Sequence, residues 1–202
     1  MFDTLRSLSL TLAITTALAL PALAQETTPT EAPAAPATGT ELSTGEPVGG
    51  PGEPYVKSTH GDWKLRCLKT KDGSDPCELY QLLKDAKGNS VAEITMVALP
   101  DGQEVVAGAT IIVPLETLLA KDLTLAIDGK DAKHYPFTFC ASVGCFSRIG
   151  FTAAEVDGMQ NGAKAVVSVV PMAAPDQVVS VDISLKGFTE AFDAIKAERP
   201  AP

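Results

Sequence analysis

The four cysteines of this chain fall into two close pairs, Cys67 with Cys77 and Cys140 with Cys145, behind an amino-terminal segment with the form of an export leader. Cysteines delivered to an oxidising compartment form disulfides, so the expectation is a fold stapled locally, not the zinc or redox site that close cysteine pairs suggest in a cytosolic protein. In the leader, Arg6 precedes an uncharged apolar run from Leu8 to Leu20, and Ala22-Leu23-Ala24 forms an A-x-A cleavage pattern. Asp3 offsets Arg6, which leaves the terminal amine as the main positive charge. The run is shorter than the roughly 18 apolar residues of a spanning helix. The expected mature chain begins at Gln25, a residue that cannot carry the lipid of a bacterial lipoprotein.

Cleavage would remove one charge of each sign, Asp3 and Arg6, so the mature chain keeps the formal charge of −9. An acidic chain without a basic stripe lacks the phosphate contacts that supply most nucleic-acid affinity, so nucleic acid is not expected as a partner, and anionic membrane surfaces are disfavoured for the same reason. Residues 25–54 are rich in Pro, Ala, Thr, Gly and Glu, contain no Lys or Arg, and hold only Leu42 and Val48 as large apolar side chains. Ordering such a stretch would cost about 1–2 kcal/mol per residue with little burial to offset it. It reads as a disordered tether, with a β domain over 55–196 and a flexible tail over 197–202. About 140 residues suffice for one hydrophobic core.

Within the domain, short β-branched runs alternate with turn residues. Strands are expected over 62–69, 77–84, 90–99, 104–113, 123–128, 135–140, 145–151, 165–170 and 178–185. Trp63, Leu65 and Cys67 share one face of the first, with Lys64 and Arg66 on the other; Val179, Val181, Ile183 and Leu185 share the core face of the last. Asp128-Gly129 and Lys87-Gly88-Asn89 stand where hairpin turns belong, and Pro114 and Pro136 mark strand ends or edges. Thr152 and Glu155 have capping-box spacing for a short helix that Gly158 would close. Phe188, Phe192 and Ile195 line one face of a terminal helix over 188–196. The expected fold class is mainly β, an antiparallel β-sandwich or barrel-like domain with a C-terminal helix and two local disulfides.

Four cysteines allow three pairings, and sequence alone does not choose among them. Locality at predicted turns favours Cys67–Cys77 and Cys140–Cys145, each contributing roughly 2–3 kcal/mol by closing a small loop. Neither pair is C-x-x-C, and the nine residues between Cys67 and Cys77 exceed a zinc knuckle's spacing. No metal site and no cofactor are expected. His60 and His134 read as solvated loop residues. No G-x-S-x-G elbow, S-x-x-K run or phosphate loop occurs, and Asp62, Glu78, Glu93, Asp128, Asp182, Glu190 and Asp193 are scattered. No catalytic residue is expected.

The ordered set Gly61-Asp62-Trp63, Cys67, Cys77, Gln81, Pro114-Leu115, Asp128-Gly129, Cys140, Gly144-Cys145 and Ser184-Leu185-Lys186-Gly187-Phe188 resembles the invasion-associated locus B proteins of Gram-negative bacteria. The resemblance runs through almost the whole domain, with one departure: Glu116 follows Pro114-Leu115 where the pattern leads to Gly. It implies an exported, disulfide-bonded β-rich protein of the periplasm or outer envelope, linked in pathogenic members to host-cell entry. It carries over no catalytic residues. The leading expectation is a non-catalytic binding module whose partner is a protein or envelope component. The alternatives are a periplasmic small-ligand carrier or enzyme, which a deep cleft joining His134 or Asp128 to other polar groups would favour, and a structural or stress-related envelope protein.

Overall fold

The computed structural model describes residues 48–100 and 102–199. The expected leader, residues 25–47 of the expected tether and residues 200–202 of the expected tail lie outside the described residues. Among those described, no helix is long and apolar enough to cross a membrane.

Eleven strands and two helices follow in chain order: β1 (Pro54–His60), β2 (Trp63–Leu68), β3 (Cys77–Lys84), β4 (Ser90–Ala98), β5 (Val105–Val113), β6 (Leu123–Ile127), β7 (Lys130–Tyr135), β8 (Phe137–Ala141), β9 (Gly144–Thr152), α1 (Ala153–Asn161), β10 (Lys164–Val169), β11 (Val179–Ser184) and α2 (Phe188–Ala197). They build two antiparallel sheets, one ordered β1-β2-β3-β4-β5-β9-β8 and one ordered β11-β10-β6-β7. This is the mainly β architecture expected from the sequence, with its C-terminal helix and both local disulfides.

Strict alternation decides the inner faces. Trp63, Leu65 and Cys67 on β2, Leu79, Gln81 and Leu83 on β3, Ile94 and Met96 on β4, and Ala107, Ala109, Ile111 and Val113 on β5 are all buried. The second sheet answers with Leu123, Leu125, Ala165, Val167, Val181 and Ile183, and α2 adds Phe188, Ala191, Phe192 and Ile195. Fully burying each large aliphatic or aromatic side chain contributes about 1.5–3 kcal/mol, which makes this shared interior the main source of stability.

Two strands were not anticipated. β1 begins one residue inside the expected tether, and Gly52 already donates to the Lys69 carbonyl at 2.8 Å, with Lys69 returning a bond to Glu53 at 2.9 Å. β7, Lys-Asp-Ala-Lys-His-Tyr, is exposed along nearly its whole length and so has no apolar alternation to read. It exists because Asp128 (φ 47) and Gly129 (φ 69) both adopt the left-handed conformation of a two-residue hairpin turn, pairing Ile127 with Lys130. His134 accordingly sits on a strand, not in a loop.

The expected end of the first helix is corrected. Thr152 and Glu155 form a complete capping box, but α1 continues through Gly158 to Asn161 and is capped by Gly162. Gly158 stays helical because the apolar contacts of Val156 and Met159 on either side hold that face against the core. At the other end of the domain, α2 extends past residue 196 to Ala197, and Arg199 Nη1 donates to the Leu99 carbonyl at 2.6 Å.

Proline and buried polar side chains help to join the two sheets. Pro136 separates β7 of one sheet from β8 of the other, and its carbonyl accepts from the buried Ser147 hydroxyl at 3.1 Å. Proline suits this corner because it has no N–H to satisfy. Thr117, also buried, donates to the Pro114 carbonyl at 2.8 Å where the chain leaves β5. Among the described residues, the third buried polar side chain is Gln81.

Candidate functional site

Gln81 joins residues that lie far apart in sequence. Its Nε2 donates to the Ser184 carbonyl at 2.9 Å, and its Oε1 accepts from the Ser184 N–H at 2.8 Å. Trp63 Nε1 donates to the same carbonyl at 2.8 Å, and Ser184 Oγ donates to Asp62 at 2.7 Å. The Asp62 N–H bonds to the Lys186 carbonyl at 3.1 Å, while the Trp63 ring meets Phe188 with centroids 5.3 Å apart. Gly61 (φ 57) and Gly187 (φ 80) cross here so closely that a Cβ on Gly61 would overlap the Lys186 carbonyl and one on Gly187 would overlap the His60 carbonyl. Left-handed backbone at van der Waals approach admits only glycine. Gly61, Asp62, Trp63, Gln81, Lys186, Gly187 and Phe188 therefore converge on one junction, where the β1–β2 turn clasps the β11–α2 turn. The Lys186 side chain is exposed; its backbone makes the contact. The Gln81 carboxamide, the Trp63 indole N–H and the backbone and hydroxyl of Ser184 are all engaged within it.

The other pattern residues serve the chain's own packing too. Cys67 pairs with Cys77 across β2 and β3, and Cys140 with Cys145 across β8 and β9, both in strand register. The loop closed by the first disulfide is organised by Asp75, which accepts from Thr70 N at 2.8 Å, Thr70 Oγ1 at 3.0 Å and Tyr55 Oη at 2.9 Å. These bonds, the Thr70 amide foremost, hold the Asp75 carboxyl well below the usual aspartate range. Gly144 (φ 150) lies where a Cβ would overlap the Val113 carbonyl, so the second disulfide loop presses directly on the end of β5 before Pro114.

Polar side chains do gather elsewhere, in a cleft of about 580 Å³ lined by Asp128, Asp131, Lys133, Tyr135 and Glu155 among others. Their commitments are structural. Asp128 Oδ1 accepts from the N–H groups of Ala163 (3.0 Å) and Lys164 (3.1 Å), fixing the start of β10. Glu155 completes the capping box and accepts from Lys133 Nζ at 2.7 Å. Burial pushes the Glu155 carboxyl up, and the bonds from Lys133 and Thr152 outweigh it and bring it down. Burial also raises the Tyr135 hydroxyl. His134 does not line this cleft; its Nδ1 lies 3.1 Å from Thr124 Oγ1 on the surface. His60 Nε2 meets Ser58 Oγ at 2.8 Å. Among the described residues, no cluster of three His, Cys, Asp or Glu side chains is placed to hold a metal ion.

A second concavity is apolar. Val91 and Ala92 of β4, Val113 and Pro114 at the end of β5, Val167 and Val169 of β10, and Val179 and Val181 of β11 surround about 230 Å³ where the two sheets splay apart. Of its lining, Leu115 (49%) and Val179 (46%) are substantially exposed, as are Met172 (58%) and Val178 (66%), each next to a lining residue in the chain. Val179 keeps the face expected of it but stays half-exposed. Beside the groove, Glu116 adopts φ 68, a left-handed conformation, and its carbonyl accepts from Met172 N at 2.7 Å. The position where the family pattern leads to Gly is thus one where the backbone favours it.

The pattern residues, brought together by the fold, agree with comparison to known proteins. The profile of the invasion associated locus B (IalB) protein family matches residues 63–196. The chain belongs to this family. Two invasion protein B homologues of Brucella abortus, from strain 2308 and from biovar 1 strain 9-941, are each 32% identical over 147 residues, 72% of this chain and 82% of theirs. The crystal structure of invasion associated protein B from Bartonella henselae superposes with a TM-score of 0.61 at 22% identity, covering 69% of this chain and 94% of that one, and so shares the fold. In this IalB-family chain the residues that carry the family resemblance are concentrated in junctions and crosslinks. Of the groove, sequence reasoning singled out Pro114-Leu115, the departure at Glu116 and the expected core residues Val179 and Val181. The remaining lining valines carry no local signal, because an inner-face valine reads the same whether or not the opposite sheet reaches it.

Proposed function

We propose that this IalB-family protein is an exported, non-catalytic binding module of a Gram-negative cell envelope, and that it recognises another polypeptide through the apolar groove between its sheets. The observation that carries this reading is the apolar groove itself, with Leu115 and Val179 of its lining and the adjacent Met172 and Val178 exposed to solvent. The leader supports export to the periplasm or outer envelope. The acidic balance supports a protein partner over an anionic membrane. The names of the Brucella and Bartonella relatives refer to invasion, and host-cell entry or envelope upkeep is the setting proposed here.

The polar cleft favours a competing reading, a small-ligand carrier or enzyme built around Asp128 and Glu155. The two readings separate in one experiment. A photoreactive side chain placed at Val179 in living cells should crosslink a defined partner, and Leu115→Asp should abolish the adduct without unfolding the domain. An adduct unaffected by Leu115→Asp, or none from intact envelopes, contradicts the groove reading. A metabolite retained by the wild type and lost in Asp128→Asn would replace it with the competing one.

A further inference from the structure

Beside the groove, two strand edges face each other without a strand between them. β2 pairs with β3 only over Cys77–Tyr80, ending at Lys64 opposite Tyr80, so Gln81–Lys84 have a neighbouring strand only on the β4 side. β11 is the border of the second sheet, paired with β10 alone. Between these edges runs a channel of about 530 Å³ lined on the β3 side by Lys64, Tyr80, Leu82 and Lys84 and on the β11 side by Asp182 and Ser184.

Backbone geometry shows what the β11 edge offers. Ser184 turns both its N–H and its C=O away from β10 and towards the Gln81 carboxamide, which binds them as the peptide group of an adjacent strand would. Ser184 stands opposite Lys164, Asp182 opposite Val166 and Ser180 opposite Ser168, in unbroken register. The period of two therefore turns the N–H and C=O of Asp182 and Ser180 outward as well. Close approach of side chains across these pairs agrees: Lys164 Nζ reaches Asp182 at 2.9 Å and Ser168 Oγ reaches Ser180 Oγ at 2.7 Å. Gln81 thus occupies the first rung of an edge whose next two rungs meet no partner among the described residues.

We propose that the edge of β11 is a strand-addition site, at which an extended segment of a partner polypeptide inserts between β11 and the unpaired half of β3. The proposal deepens the binding reading above and rests on it. An added strand takes its affinity from main-chain bonds and its specificity from alternate side chains. On one side these would follow Val179 and Val181 into the apolar groove. On the other they would emerge beside Lys64 and Lys84, neither of which has an ion-pair partner among the described residues, and beside Asp182, whose carboxylate is paired with Lys164 at 2.9 Å. The segment is thus one alternating aliphatic with acidic or polar residues. A second copy of this chain is disfavoured as the occupant because the formal charge of −9 on each copy opposes self-association.

The test is a selection from phage-displayed random peptides of about seven residues, near the length of β11, on the purified domain with both disulfides intact. Amide hydrogen exchange of the enriched complexes then locates the binding. Expected are aliphatic–acidic alternation, slowed exchange at Ser180 and Asp182, and at least about tenfold weaker binding to Ser180→Pro, which removes an outward N–H but none of the β10 ladder. Because Ser180→Pro can also disturb folding, Lys64→Glu with Lys84→Glu supplies a surface variant, for which a similar weakening is expected. No enrichment, equal binding to the surface variant, protection at other strand borders, or protection at Ser180 that rises with protein concentration alone would each overturn the proposal. In those cases a groove crosslink lost in Leu115→Asp would still leave the binding reading standing.

Discussion

Glu116 holds a backbone conformation that glycine adopts without penalty and other residues reach at a cost of about 1–2 kcal/mol. Its side chain is exposed, so Glu116→Gly should remove that cost while adding a smaller one through the freer unfolded chain. The net expectation is a gain of about 0.5–1 kcal/mol, read as a rise in the thermal midpoint of a few degrees; a fall would show that the Glu116 side chain has a stabilising role. Asp75 yields a prediction in pH. Its folded carboxyl is held below the usual range by Thr70 and Tyr55. The stabilisation is therefore complete above about pH 4 and is lost as pH falls from there through the depressed folded value. Denaturant titrations across the acid range should show a shallower acid loss in Asp75→Asn than in the wild type. Identical slopes would mean the bonds in the disulfide loop do not contribute.

At the scale of elements, α1 provides a direct check on local energetics. Gly158 is internal to the helix, and a Cβ there would meet Ile127 Cδ1 at an ordinary 3.8 Å. Gly158→Ala should stabilise by about 0.5–1 kcal/mol, measurable by chemical denaturation; destabilisation would mean that the helix needs the glycine for its packing. The same element shows why boundaries were harder to read than existence. Thr152 and Glu155 announce the start through two specific hydrogen bonds, whereas glycine at position 158 looks like a stop until tertiary contacts carry the helix over it. Strands with one buried face, such as β2 and β11, were legible because alternation records burial. β7 was not, since an exposed strand held by its turn and by pairing leaves no apolar pattern. Of the junction residues, Trp63 and Phe188 were legible from alternation and helical spacing, the others only as a family pattern. Their spacing in sequence does not reveal that Gly61, Gln81 and Gly187 meet, because that meeting depends on how the two sheets are set against each other.

For the whole molecule, the two sheets are held together by Pro136, which links the border strands β7 and β8, and by the Gln81–Ser184–Trp63 junction, which ties β2 and β3 to the border strand β11, and the groove opens between the same two sheets. Under the proposed function most residues of the family pattern close the domain, while Leu115 and the less conspicuous valines at the opening meet the partner. This division is tested most directly at Gln81, the buried side chain that spans both sheets. Gln81→Leu keeps the volume close but leaves the Ser184 N–H without its acceptor and removes one donor from the Ser184 carbonyl, a loss of about 1–3 kcal/mol. Equilibrium denaturation of this variant beside the wild type should show a lowered midpoint by that amount. Unchanged stability together with loss of the partner crosslink would contradict the account and place Gln81 in the binding surface itself.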